Sequence, residues 1–221
     1  MQLIEVVILL LLLGPSLVPV RAALAALHVD FITLAASVMV RDLALLFLVL
    51  YLVWRNGEGL QSLGWNFAGR GSDFLWGLVL YVPITIGAGL LDQALQNIGL
   101  SAPTHPPAAL APGNGIAQLA MAAVLVVIVA ISEETIFRGF LILRFQTLTR
   151  STVAAVLISS GIFSLGHGYE GTAGVITVGV LGLVLAMIYL WRQSLLAPMV
   201  IHFLQDFVSI VVVSLLGVRA H

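Results

Sequence analysis

Seven solid blocks of apolar residues dominate the sequence, near positions 4–20, 31–54, 74–91, 116–148, 151–168, 172–191 and 194–218. Each is long enough to cross a hydrocarbon core of about 30 Å at about 1.5 Å of helix rise per residue. They lack the alternation, in segments of about ten residues, that marks an outer-membrane barrel. The expected class is therefore all-α. Composition agrees: 61% of the 221 residues are apolar and 9% are charged, against about 25% charged in an average soluble domain. A soluble domain of this length buries about 70% of the surface its chain exposes, too little to hide so much apolar area. The expectation is a polytopic transmembrane helical bundle of about seven spans, one integral membrane domain over residues 1–221, with the lipid bilayer as its surroundings. Nine arginines, no lysine and ten Asp and Glu give a net charge of −1. No basic patch is present to neutralise phosphates, so nucleic acid is not an expected partner. Cysteine is absent, which excludes disulfides, thiolate metal sites, a Cys nucleophile and lipidation on Cys.

The run from Val6 to Leu13 ends at Gly14-Pro15 and Pro19. A signal peptide carries a basic residue ahead of such a core; Glu5 stands there instead, so a first membrane span is the reading. Two connectors interrupt the blocks. Residues 55–73 (RNGEGLQSLGWNFAGRGSD) are polar and Gly-rich and read as a short surface segment. Residues 99–115 hold Pro103, Pro106, Pro107 and Pro112. They read as an exposed loop, because Pro lacks the N–H and clashes with the preceding turn. Placing the N-terminus inside puts Arg55, Arg70, Arg144, Arg150 and Arg192 inside and only Arg21 and Arg219 outside, as the positive-inside rule requires. Arg41-Asp42 interrupts the second block and reads as a self-neutralised pair facing protein or water.

Charge within a membrane costs about 2.5–3.5 kcal/mol per residue, so it persists where it is paired, hydrated or used. The fourth block contains Glu133-Glu134-x-x-x-Arg138. Adjacent helix positions point about 100° apart, so the two carboxyls cannot share a partner. Glu134 and Arg138 stand one above the other as an i,i+4 ion pair. Glu133 is left without a local partner, which suits a general base or acid. The fifth block ends Gly161-Ile-Phe163-Ser-Leu-Gly166-His167-Gly168, with Phe163 and His167 on one face and the glycines letting a neighbouring backbone come close. The seventh begins with Pro198 near its start and carries His202 and Asp206 at i,i+4, where the carboxyl can orient the imidazole. Each motif alone also fits a purely structural pair. A shared polar cavity would satisfy all of them at once. His28, His105 and His221 fall in termini or loops and are given no role.

Glu-Glu-x-x-x-Arg, Phe-x-x-x-His and His-x-x-x-Asp, in this order on successive apolar helices, resemble the Abi family, the CAAX-protease and bacteriocin-processing group of intramembrane proteases. That group includes the type II CAAX prenyl endopeptidases. The resemblance covers residues 117–213, includes Phe137-Arg138-Gly139-Phe140 and Ser194 to Pro198, and extends to Leu60 to Trp65 (LQSLGW). It implies an intramembrane endopeptidase acting near the C-terminus of a peptide or protein presented at the membrane. Glu133 and His167 would activate a water, and His202 and Asp206 would line the oxyanion site. Glu134, Arg138 and Phe163 would support them. Many members carry Asn where this chain has Asp206. An ionised Asp cannot donate to an oxyanion, so Asp206 must be protonated, orient His202, or bind a metal. No cofactor is expected, although Glu133, His167, His202 and Asp206 are all groups that ligate zinc. The lack of Lys and the compact loops suit a bacterial plasma-membrane member, where the resemblance implies peptide maturation or self-immunity to bacteriocins. The rival readings are a non-catalytic immunity or scaffold protein of the same fold, and a small carrier using the buried groups as a proton relay.

Overall fold

The computed structural model describes residues 2–17, 30–66, 71–101, 112–113 and 115–216. All seven apolar blocks are helical, and no strand occurs among the described residues: α1 Gln2–Leu17, α2 Phe31–Arg55, α3 Gly71–Asn97, α4 Ile116–Thr149, α5 Thr152–Leu165, α6 Gly171–Arg192 and α7 Leu196–Leu215. Most of the Pro-rich connector (102–111 and 114) lies outside the described residues, as do His28, His105, His221, Arg21, Arg70 and Arg219. The protein is an integral membrane protein. Large apolar side chains face outward along α3, including Leu75, Val79, Val82, Ile86 and Leu90, and only 6% of its most apolar window is buried. Water would not tolerate such a surface; hydrocarbon does.

Local chemistry sets the helix ends. Asp30 caps α2 by accepting the Thr33 N–H at 2.8 Å, and Ser151 caps α5 through the Ala154 N–H at 3.2 Å, as N-cap residues do. Pro198 sits in the first turn of α7, where its missing N–H costs nothing. Arg41-Asp42 does not break α2, which is continuous.

Five helices are long and apolar enough to cross a membrane, whereas the apolar stretches Leu3–Leu13 and Thr152–Leu165 are shorter. At 14 residues, α5 is about 21 Å long, short of the length expected for 151–168. The chain leaves the helix at Gly166, and His167 lies in the turn beyond it rather than on the helix. Gly171, with φ +80°, re-aims the chain into α6.

Packing pairs α2 with α4, α5 with α6 and with the end of α4, and α3 with α6 and α7. α1 packs against α2 and the end of α4 through Val6, Leu9 and Leu13. Its Glu5, buried, accepts from the Asn56 side chain at 2.8 Å and lies 3.3 Å from Arg144 Nε. Arg144 also grips both oxygens of Glu58, at 2.9 and 3.0 Å.

The connector 55–73 is not wholly surface. Leu63 is fully buried, and the Trp65 indole donates to Thr135 Oγ1 at 3.1 Å. Apolar side chains in an otherwise polar stretch wedge it between α4, α6 and the start of α7, where Gly64 O accepts from the Leu195 N–H at 3.1 Å. The expected close approach at Gly161 and Gly168 does not occur, since a Cβ at either would meet nothing within 4 Å; at Gly166 it would meet only the carbonyl of Phe163, in the same turn. A close approach does occur at Gly139, where a Cβ would lie 2.8 Å from the Leu63 carbonyl oxygen. Gly139→Ala should therefore destabilise the fold by about 1–3 kcal/mol through overpacking, seen as a lower unfolding temperature in detergent. Gly161→Ala is the control that should leave it in place.

Candidate active site

The acidic motif sits where α4 changes its winding. Ile116–Glu133 and Ile142–Thr149 are α-helical, but Glu134–Leu141 is wound as a π-helix. Phe207–Val212 of α7, directly after Asp206, is wound the same way. π-Segments are rare and concentrate at functional sites. Here the wider turn holds Arg138 and Glu134 together, with Nη1 to Oε1 at 2.7 Å, both fully buried. The Arg138 guanidinium also lies 4.3 Å from the centre of the Phe163 ring, a cation–π contact. Gly182 admits it: a Cβ there would lie 3.4 Å from Arg138 Nη2.

Glu134 has a second partner that sequence spacing could not show. His202 Nδ1 donates to the same Oε1 at 2.8 Å. Glu134, on another helix, thus holds the ring from its Nδ1 side. Asp206 Oδ2 instead faces His202 Nε2 at 3.4 Å, the nitrogen that also faces Glu133 Oε2 at 3.8 Å. One turn of α7 brings the i,i+4 carboxyl to the far side of the ring, whereas Glu134 approaches from α4.

A cavity of about 260 Å³ opens in front of these groups. Leu13, Phe31, Leu34, Val38 and Leu45 of α1 and α2 form an apolar wall. The lining also holds Glu133, Phe163, His167, Tyr169, Glu170, His202 and Asp206. All four residues expected to carry chemistry therefore face one space. Glu134 and Arg138 lie behind it. His167 donates from Nδ1 to the Phe163 carbonyl at 3.0 Å. A carbonyl can only accept, so neutral His167 keeps its lone pair on Nε2. Glu133 Oε2 makes no hydrogen bond, and its near charges stand at 3.8 and 4.0 Å. Among the described residues no three His, Asp or Glu side chains are gathered closely enough to hold one metal ion.

Residues 115–208 match the family of Rce1-like type II CAAX prenyl endopeptidases. The match agrees with the resemblance carried by the three motifs and spans less than half of the chain. It runs from the start of α4 to just past Asp206, so the Rce1-like region contains Glu133, His167, His202 and Asp206 together. α1 to α3 lie outside it. No curated protein and no solved structure matches the chain.

Four cavity residues were not read as such in the sequence. Tyr169 and Glu170 fall between the fifth and sixth apolar blocks, where no motif singled them out. Arg41 and Asp42 form the expected pair, with Nη2 2.7 Å from Oδ1, but they also line the cavity beside Glu133. The available signal was the placing of two charges within an apolar span.

Proposed function

We propose that this protein is an intramembrane endopeptidase that uses a glutamate- and histidine-activated water to cut a peptide bond near the C-terminus of a membrane-presented peptide. The Rce1-like match supports a membrane protease of the CAAX type. The observation that carries the mechanism is the unpartnered Glu133 Oε2 sharing a cavity with His167, whose Nδ1 is already committed to the Phe163 carbonyl. A water bound between Glu133 and His167 Nε2 gives its proton to Glu133 as its oxygen attacks the scissile carbonyl carbon. The tetrahedral intermediate bears an oxyanion. As it collapses, the C–N bond breaks, and the proton held on Glu133 passes to the leaving nitrogen. Both halves of the cycle are general acid–base steps.

His202 is the nearest candidate donor to the oxyanion. Its Nδ1 proton is taken by Glu134, so donation from Nε2 needs the imidazolium form, flanked by Glu133, Glu134 and Asp206. Such a preset donor acts on charge that develops only in the transition state. The apolar wall excludes water that would weaken these interactions. The setting is a bacterial plasma membrane with the N-terminus inside, in peptide maturation or self-immunity.

The test is cleavage by the purified protein in liposomes, with a library of membrane-anchored peptides read by mass spectrometry. Cleavage should resist EDTA. His167→Ala should lower kcat by about 10²–10⁴-fold, the usual worth of a positioned acid–base group, at unchanged amounts of folded protein. Loss of wild-type cleavage in EDTA would make Glu133 and His167 metal ligands instead. Full activity in His167→Ala would overturn the shared-water mechanism, and no cleavage at all would favour the non-catalytic reading.

A further inference from the structure

The Rce1-like match begins at α4, yet α2 brings two charged groups to the cavity wall. Asp42 Oδ1 accepts from Arg41 Nε at 2.7 Å and lies 2.7 Å from Arg41 Nη2. The charge-assisted bond and the second contact hold the guanidinium against the carboxylate. Asp42 is buried, and the Arg41 side chain keeps 38% of its exposure. The fixed guanidinium presents Nη2 to Glu133 Oε1 at 4.0 Å. That is too long for a hydrogen bond and short enough for a strong charge interaction at a partly buried site. Glu133 thus has a cation on its Oε1 side and His202 Nε2 at 3.8 Å on its Oε2 side. Among the described residues the other titratable and charged groups near it are Asp42 beside Arg41, His202 and Asp206 from α7, Arg138 and Glu134 from its own helix, and His167, Tyr169 and Glu170 in the cavity lining. Among the residues lining the cavity Arg41 is the one Arg. A pair that served only to neutralise itself in the membrane would have no need to face Glu133 as well.

We infer that Arg41, held by Asp42, is a positioning residue for Glu133: acting from the Oε1 side, it fixes the orientation of the carboxylate between the guanidinium and His202. The inference rests on the endopeptidase reading and adds a residue from outside the family match to it. Its action is electrostatic, so it should follow the charge at position 41 rather than the volume.

The absence of cysteine from the chain permits a direct charge-rescue test in liposomes on a substrate of the wild-type protein. Arg41→Cys should lower kcat by about tenfold or more with KM little changed, the signature of an interaction used in the chemical step rather than in binding. Treatment with aminoethyl methanethiosulfonate, which restores a cation, should recover most of the loss. The uncharged ethyl methanethiosulfonate should not, and Arg41→Lys should retain most activity. Equal recovery with both reagents, a rise in KM alone, or unchanged kcat in Arg41→Cys would overturn the inference while leaving the endopeptidase reading intact, provided Glu133→Gln is inactive. Cleavage by Glu133→Gln would overturn both.

Discussion

Glu133→Gln should reduce peptide cleavage by about 10²–10⁴-fold, the range for removal of a general base, without reducing the amount of folded protein. Gln matches Glu in shape but cannot take a proton from water. The fold should be indifferent to the change, because Glu133 Oε2 has no hydrogen-bond partner and the nearest charges stand off at 3.8 and 4.0 Å. Kinetics in liposomes and thermal unfolding in detergent, on the same preparation, separate the two effects. Wild-type activity in Glu133→Gln would remove Glu133 from the mechanism. Glu134→Gln is the informative neighbour. That carboxylate holds Arg138 at 2.7 Å and His202 at 2.8 Å, so its loss should lower stability and activity together.

Arg138→Ala should have the largest effect on stability. Arg138 and Glu134 are both fully buried, and the guanidinium also covers the Phe163 ring. Removing one partner of a buried pair costs about 3–5 kcal/mol, because the other charge is stranded in low dielectric. Much of the protein should be lost to aggregation or degradation. Arg138→Met combined with Glu134→Gln should recover folded protein, since no buried charge is then left alone, but not activity, since His202 loses its carboxylate partner. Size-exclusion profiles and unfolding temperatures decide this. If Arg138→Ala is as stable as wild type, the pair is not what holds α4 against α5 and α6.

The helices were legible because apolar blocks in a membrane have few alternatives. The Glu134–Arg138 pair was legible because i,i+4 spacing survives in the real helix. Glu133 was singled out by elimination, as the acid of the motif without an i,i+4 partner, and its Oε2 is buried without a hydrogen bond. What escaped were contacts made across the bundle. His202 was matched with its i,i+4 neighbour Asp206, yet its Nδ1 partner is Glu134 on another helix. Arg41 looked complete beside Asp42, because adjacent opposite charges hide any third partner. Glu5 entered only as the wrong residue for a signal peptide, although it is buried against Asn56 and Arg144. The early end of α5 was obscured by Gly and His, which hydropathy does not count as a stop.

The π-wound stretch Glu134–Leu141 also determines which genetic lesions the protein can absorb. A π-turn takes up about one residue more than an α-turn, so the stretch absorbs a residue without passing its rotation on. Deleting a single codon between Arg138 and Leu141 would let the turn close into α-winding while the helix on either side kept its faces. The same deletion in the α-wound part, Ile116–Glu133, would swing everything before it by about 100° relative to everything after it. For this helix the harm done by an in-frame deletion therefore depends on where it falls rather than on its size.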